Sequence, residues 1–551
     1  MPTDPLTTHD VTNQPPPLTG YDVFGIDRTL TDAVTRGGAS WAEDELHELG
    51  RKAGSSPAQQ WGEQANANPP VLRTHDRYGQ RIDQVEYHPA YHELMRVAIA
   101  HGLHGAPWAD DRPGAHVARA AKIIVWYQVD GGHICPISMT YSVLPALRLQ
   151  PDVAADWEPG ILSRTYDPTF APPRTKAGLT CGMAMTEKQG GSDVRTNTTT
   201  AVAVNGGGPG GEYLLTGHKW FCSAPMSDAF LMLAQAPGGL SCFLVPRWRP
   251  DDTPNVFRIQ RLKDKLGDRS NASSELELAD AWGRMVGDEG RGVRTIIEMV
   301  NHTRLDCSLG SAAIMRKATA EAIHHASHRR AFGDRLVDKP LMANVLADLA
   351  VESEAATVSA IWLAALFDRA RAGDEEAIAL RRLATPVLKY WTCKRAPVHS
   401  AEAMECLGGA GFVEESGLPC LYRQAPVNGI WEGSGNVICL DVLRAIARNP
   451  DSLDVLFNQL RSVAGADHRL DEAVEVLVKE LTDFDDLEMR ARRVVERLAI
   501  ALQAALLVDT GRDQTIEAFC ATRLGTEGGR AFGTLPRHID TDAIVARHAP
   551  S

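Results

Sequence analysis

A mainly helical α+β fold follows from how the periodicity changes along this chain of 551 residues. Helical patterning fills roughly the first third. A block of short β-prone runs then interrupts it, and long apolar repeats of helical period return after residue 290. With 44% hydrophobic and 6% aromatic residues, the chain is long and apolar enough for several domains around a large core.

Residues 1–40 are rich in Pro, Thr and Asp and are expected to form an extended N-terminal arm that packs on another surface or stays mobile, without chemistry of its own. Over 41–180, YHELMRVAIAHGL and AHVARAAKIIVWYQVDGGH are helical and Pro-containing loops such as GAPWADDRPG break them, which predicts an N-terminal α domain. Over 181–290, TNTTTAVAV, EYLLTGHKWFC, AFLMLAQA, LSCFLVPR and SSELELADAW predict a small β domain, with GGGPGG as a turn. The long periodic stretches of 291–448 predict a four-helix bundle. The Asn449-Pro450 step closes it, and 449–551 are predicted as an extra helical C-terminal domain.

Composition narrows the function. A formal charge of −13 argues against a non-specific polyanion binder. The ten cysteines show neither zinc spacing nor a disulfide framework, so no metal site is expected and a reducing, cytoplasmic setting is. The N-terminus lacks the basic and apolar segments of a signal peptide, and no uninterrupted apolar run of about 18 residues predicts a membrane span.

GMAMTEKQGGSDVRTNTTTA at 182–201 is polar, glycine-containing and set between packed segments. It resembles the flavin-contacting segment of the acyl-CoA dehydrogenase family. GHKWFCSA at 217–224, RRAFG at 329–333, AMECLGGAGF and IWEGSGN resemble that family's other signatures in the same order. The wording MTEKQGGSDV, RLKDKLGDRSNAS, VNGIWEGSGN and CLDVLR is similar to the family's AidB branch, the alkylation-response flavoproteins, which carries an additional C-terminal helical domain. The resemblance implies non-covalent FAD. Met183, Met185 and Thr186 would line the ring, with Thr186 at its N5/O4 edge, and Gly191 and Ser192 would approach the pyrophosphate. Where the family usually has an indole followed two residues on by Thr, this chain has Phe221 and Ser223, with the Trp shifted to Trp220. Arg329 would reach the cofactor across a subunit interface, and a homotetramer is implied. Pro340 stands where the family often has Gln, which removes one adenine-side contact.

By the same resemblance, Glu432 in IWEGSGN is the base that removes the α-proton of an acyl-CoA, because the alternative helix position reads Thr303-Arg304 and holds no carboxylate. Trp431 and Ile430 would raise its pKa by burial. Trp431, Gly433, Ser434 and Asn436 complete the implied flavin loop. The alternative role for this loop is a helix start, with Ser434 or Asn436 as a cap.

Residues 451–551 hold 12 Lys+Arg against 18 Asp+Glu, yet the charge is segregated. Arg490, Arg493 and Arg497 fall on one stripe of a helix whose apolar face is Leu487, Val494, Leu498 and Leu502. Resemblance to the AidB branch implies that such a stripe contacts double-stranded DNA; the plainer reading is a solvated face paired with nearby carboxylates. Two functions are expected from these features. One is a DNA-associated FAD flavoprotein of the alkylation response with weak or residual, isovaleryl-CoA-like dehydrogenase activity. The other is a metabolic FAD-dependent dehydrogenase of short or branched acyl-CoAs. An acyl-CoA oxidase shares the fold but fits the motif wording less well.

Overall fold

The computed structural model describes residues 8–483 and 485–550. The first seven positions of the expected arm, together with Phe484 and Ser551 of the expected C-terminal domain, lie outside the described residues. The remainder of the arm is not a separate appendage. Arg28–Arg36 is a helix whose N-cap Asp27 accepts the Leu30 N–H at 3.0 Å, and Leu30, Ala33 and Val34 are buried in the main core. Three apolar residues at helical spacing inside a Pro- and Thr-rich stretch are too weak a pattern to read, but enough to seat one short helix.

The N-terminal region also contains a β-hairpin, Val71–His75 paired antiparallel with Arg81–Glu86, where helix alone is expected. The Asp76 side chain accepts the N–H groups of Tyr78 and Gln80 at 2.8 and 2.9 Å and so shapes the turn. The hairpin reaches the β domain, because Asp83 Oδ1 accepts the Ile259 N–H at 2.9 Å and Arg81 donates to the Ile259 carbonyl at 2.9 Å.

The β domain is a seven-stranded sheet ordered Cys181–Ala184, Ala229–Ala236, Thr200–Ala203, Glu212–Ser223, Ser273–Val286 and Gly239–Pro246, with Phe257–Leu262 paired to Ser273–Val286. Ala229–Ala236 also pairs with Gly239–Pro246, so the sheet curls back on itself around Phe230, Met232, Phe243, Phe257 and Leu276. Barrel-like closure leaves few free edges.

Three long helices, Gly292–His328, Pro340–Arg371 and Glu375–Cys406, form the bundle, and Gly435–Arg448 packs on the last of them. Pro340–Arg371 is apolar and long enough to cross a bilayer by composition, but 89% of its most apolar window is buried inside the fold. The helices of residues 450–550 lie against this bundle rather than beside it. Leu487–Val508 packs on Pro340–Arg371 and Glu375–Cys406, and Val494, Leu498 and Leu502 join the same hydrophobic cluster as Leu346 and Leu388.

Ion pairs reinforce that seam. Glu354 on Pro340–Arg371 meets Arg512 and, at 3.0 Å, His548, and Arg512 also meets Asp32. Glu352 meets Arg395 at 3.0 Å and Arg523 at 3.1 Å, while Arg523 reaches Asp348 at 2.5 Å.

Candidate active site

Two loops from different domains face one another. The first leaves the Cys181–Ala184 strand. Its Met183 and Met185 are half-buried and share one apolar cluster with Cys135, Met139 and Trp431. Thr186 is held by its carbonyl, which accepts the Trp220 N–H at 2.8 Å. Glu187, which sequence reasoning gave no role, is fully buried and anchors the loop. Its carboxylate accepts from Lys219 at 2.8 Å, the Thr199 hydroxyl at 2.6 Å and the Thr198 N–H at 2.7 Å. Burial pushes this carboxyl up, but Lys219 and the Thr199 hydroxyl outweigh it and bring its pKa to about 2. Gly190 has φ +141° with open space over it, and a Cβ on Gly191 would strike the Thr186 hydroxyl. The chain therefore doubles back beside Thr186 and exposes Ser192.

On the neighbouring strand Phe221 is 50% exposed. The Lys263 ammonium lies 3.3 Å from the Trp220 ring centroid and 4.6 Å from that of Phe221, so Phe221 is the less closely covered of the two rings. Ser223 Oγ lies 3.2 Å from Ser273 Oγ.

The second loop joins the Leu418–Asn428 helix to Gly435–Arg448. Glu432 and Gly433 both have left-handed backbones, φ +57° and +107°. A non-glycine residue in that region costs of order 1–3 kcal/mol and persists only where its surroundings impose it. Here they do. Arg304 Nε donates to the Glu432 carbonyl at 2.9 Å and its Nη2 to Asp441 at 2.7 Å. Lys389, almost wholly buried, donates to the carbonyls of Trp431 at 2.9 Å and Gly433 at 2.6 Å. Trp431 Nε1 donates to Asn428 at 3.2 Å.

With its backbone fixed, the Glu432 carboxyl has one oxygen, Oε2, that is shielded from solvent and lacks a hydrogen-bond partner. Burial raises its pKa, and the Thr303 hydroxyl, Arg304 and Lys389 restrain that rise. Ser434 occupies the N-cap position of Gly435–Arg448 without a side-chain capping bond, and the Asn436 Oδ1 accepts from Arg492 at 2.8 Å. Neither side chain therefore caps the helix.

The other sequence-derived positions lie apart from these loops within one chain. Arg329 ends the Gly292–His328 helix and donates to the Asn13 carbonyl at 2.5 Å. Beyond it Phe332 is 98% exposed. Arg490 donates to the carbonyls of Glu480, Asp483 and Asp485 at 3.3, 2.6 and 2.8 Å, so it holds the connection between two helices instead of standing free. Arg493 and Arg497 both pair with Glu480, at 3.1 and 2.7 Å. Of the basic stripe read from the sequence, Arg490 is structural and Arg493 and Arg497 are half-exposed and share a carboxylate, which matches the plainer expectation of a face paired with carboxylates.

These loops suit a flat aromatic cofactor. They offer an open Phe221, half-buried methionines, a partly exposed hydroxyl at Ser223 and a glycine turn open to an approaching ligand. Residues 13–168 match the family described as the adaptive response protein AidB N-terminal domain, 182–281 the acyl-CoA dehydrogenase middle domain and 290–447 the acyl-CoA dehydrogenase C-terminal domain. The chain belongs to the acyl-CoA dehydrogenase family. As such it is an FAD-dependent oxidoreductase of the acyl-CoA dehydrogenase type.

It is 45% identical to AidB of Escherichia coli (strain K12) over 540 residues, 98% of each chain. Its fold is similar to that of Caenorhabditis elegans ACDH-11 in complex with C11-CoA, with a TM-score of 0.84, 26% identity and coverage of 99% of this chain and 94% of that one. It also resembles in fold an acyl-CoA dehydrogenase complexed with FAD from Bacillus anthracis, with a TM-score of 0.65, 17% identity and coverage of 90% and 85%.

Sequence reasoning found the acyl-CoA dehydrogenase loop and missed what supports it. Arg304 appeared only as a position without a carboxylate, and Lys389 carried no signal because its partners are backbone carbonyls. A lysine within the apolar period of a bundle helix was the available hint.

Proposed function

We propose that this chain is an AidB-like flavoprotein that oxidises the Cα–Cβ bond of an acyl-CoA, with Glu432 as the base. The supporting observation is the shielded, unpartnered Oε2 of Glu432, a proton acceptor held in a fixed place. FAD, when bound, supplies the hydride acceptor for the β-carbon. Met183, Met185, Phe221 and Trp431 would exclude water and flank the ring, Thr186 and Ser223 would offer hydroxyls, and Gly191 and Ser192 would border its phosphates. Arg304 and Lys389 restrain the carboxyl's pKa by their charge, and their hydrogen bonds go to the loop. By fixing the carbonyls on either side of the carboxyl they keep it aimed at one point. The raised pKa makes Glu432 a stronger base than an exposed carboxylate. The C11-CoA in the complex with ACDH-11 makes a medium-length acyl-CoA a reasonable first substrate.

A second reading, association with double-stranded DNA in the response to alkylation, is supported by similarity to AidB along the whole chain and by the half-exposed Arg493 and Arg497. Because Glu480 neutralises part of their charge, such binding would be weak and strongly salt-dependent.

Glu432→Gln tests the first reading. The variant should retain FAD and lose acyl-CoA-dependent flavin bleaching by ~100-fold or more, the range for loss of a general base. Bleaching at the parental rate would place the base elsewhere.

A further inference from the structure

The loop before the Ser273–Val286 strand contains a lysine with no role in the chemistry above. Lys265 Nζ donates to Asp268 Oδ2 at 2.7 Å, to the Asn271 carbonyl at 2.9 Å and to Ser273 Oγ at 3.1 Å. These three acceptors match the three protons of an ammonium, which itself can accept none. Ser273 is buried, and its Oγ, already accepting from Lys265, lies 3.2 Å from Ser223 Oγ.

The direction of that last bond follows from burial. If Ser223 donated, the Ser273 proton would be stranded in the interior, at the cost of an unsatisfied donor. If Ser273 donates, the buried Ser273 proton is used and the half-buried Ser223 keeps its own for an acceptor on its exposed side. A hydroxyl that accepts from a cation also becomes a stronger donor to the next group.

The same loop is fastened to the base side of the site. The Asp268 N–H donates to Gln424 Oε1 at 2.6 Å, Gln424 and Asn428 donate to the Tyr127 hydroxyl at 3.3 and 3.4 Å, and Asn428 accepts from Trp431. The loop that carries the lysine is therefore fastened to the Glu432 loop as well as to Ser273.

We propose that Lys265 is a positioning residue of the flavin site: through Ser273 it orients and polarises the Ser223 hydroxyl as a donor to the flavin, favouring the electron-rich reduced cofactor. This rests on the reading that Ser223 borders the flavin. A donor strengthened by a cation stabilises negative charge more than neutral charge, so its effect belongs in the reduction potential.

The test measures the midpoint potential of the bound flavin by dye-coupled reduction, together with the visible spectrum. The variants are Ser223→Ala, Ser273→Ala, Ser273→Thr, Lys265→Met and the Ser223→Ala/Ser273→Ala double. Ser273→Ala leaves the Lys265–Asp268 pair intact and so guards against misfolding of Lys265→Met. The expected result is a more negative potential in both single serine-to-alanine variants, recovery in Ser273→Thr, and a double variant no lower than Ser223→Ala alone. A Ser273→Ala potential equal to the parent's, beside a lowered Ser223→Ala, would overturn the relay while leaving the flavin placement intact. An unmoved Ser223→Ala would overturn that placement and the relay with it, and additive shifts would overturn the single path.

Discussion

At the scale of single residues, the site depends on a carboxyl whose backbone and charge share neighbours. Arg304 and Lys389 grip carbonyls and, with the Thr303 hydroxyl, lower a pKa that burial raises. The base works ionised, so kcat/KM for acyl-CoA oxidation should rise with pH along a limb lying above the ordinary carboxylate range. Thr303→Val removes a hydroxyl that favours the charged form. The limb should then move to higher pH, while the plateau and FAD content stay near parental values, as pH profiles of flavin bleaching would show. The motif positions were legible in the sequence because a flavin and a proton acceptor need particular residue types at adjacent positions, as in Met185-Thr186 and Trp431-Glu432. Their supports were not. Lys389 acts through carbonyls more than forty residues away, which leave no spacing to read, and Lys265, although its partners lie within eight residues, binds mostly a carbonyl and a hydroxyl that carry no pattern of their own.

At the scale of elements, the Leu487–Val508 helix shows how a correct periodicity can mislead about charge. Its buried face is the one expected, yet Arg490 bonds the carbonyls that end the preceding helix and Glu480 sits between Arg493 and Arg497. A helical wheel places side chains by angle and carries no record of what an adjoining turn brings over them. The same limit hid the Val71–His75 hairpin and the Arg28–Arg36 helix, short elements whose patterns become distinct only when packed. To test DNA binding, Arg493→Gln with Arg497→Gln is the informative pair, and Arg490 should be left in place. If these two touch phosphates, duplex affinity should fall and the slope of log affinity against log salt should flatten by about 0.9 for each phosphate no longer neutralised, measured by fluorescence anisotropy. Equal affinity and slope would show that this helix does not face DNA.

At the scale of the whole molecule, acid stability should depend on the seam around Pro340–Arg371. Burial alone would raise the carboxyls of Glu352 and Glu354, but Arg395 and Arg523 bring the first, and His548, Arg512 and Arg547 the second, to about 2. Because these folded-state values lie below the usual 4.5, the stabilisation is fully present above that pH and is lost as pH falls toward about 2. Glu354→Gln should therefore flatten the dependence of Tm on pH across that interval, as calorimetry would detect.

The seam also governs what can be cut away. Cleaving after residue 448 would remove Arg512, Arg523 and Arg547 together and leave Asp348, Glu352 and Glu354 on adjacent turns of one helix, facing water beside a stripped apolar surface. The trimmed polypeptide should aggregate instead of surviving as a smaller dehydrogenase, which size-exclusion chromatography would reveal. Any division of labour between nucleic acid and flavin in this protein must then be dissected by point substitution, because the extra helices are part of the catalytic body's own interior.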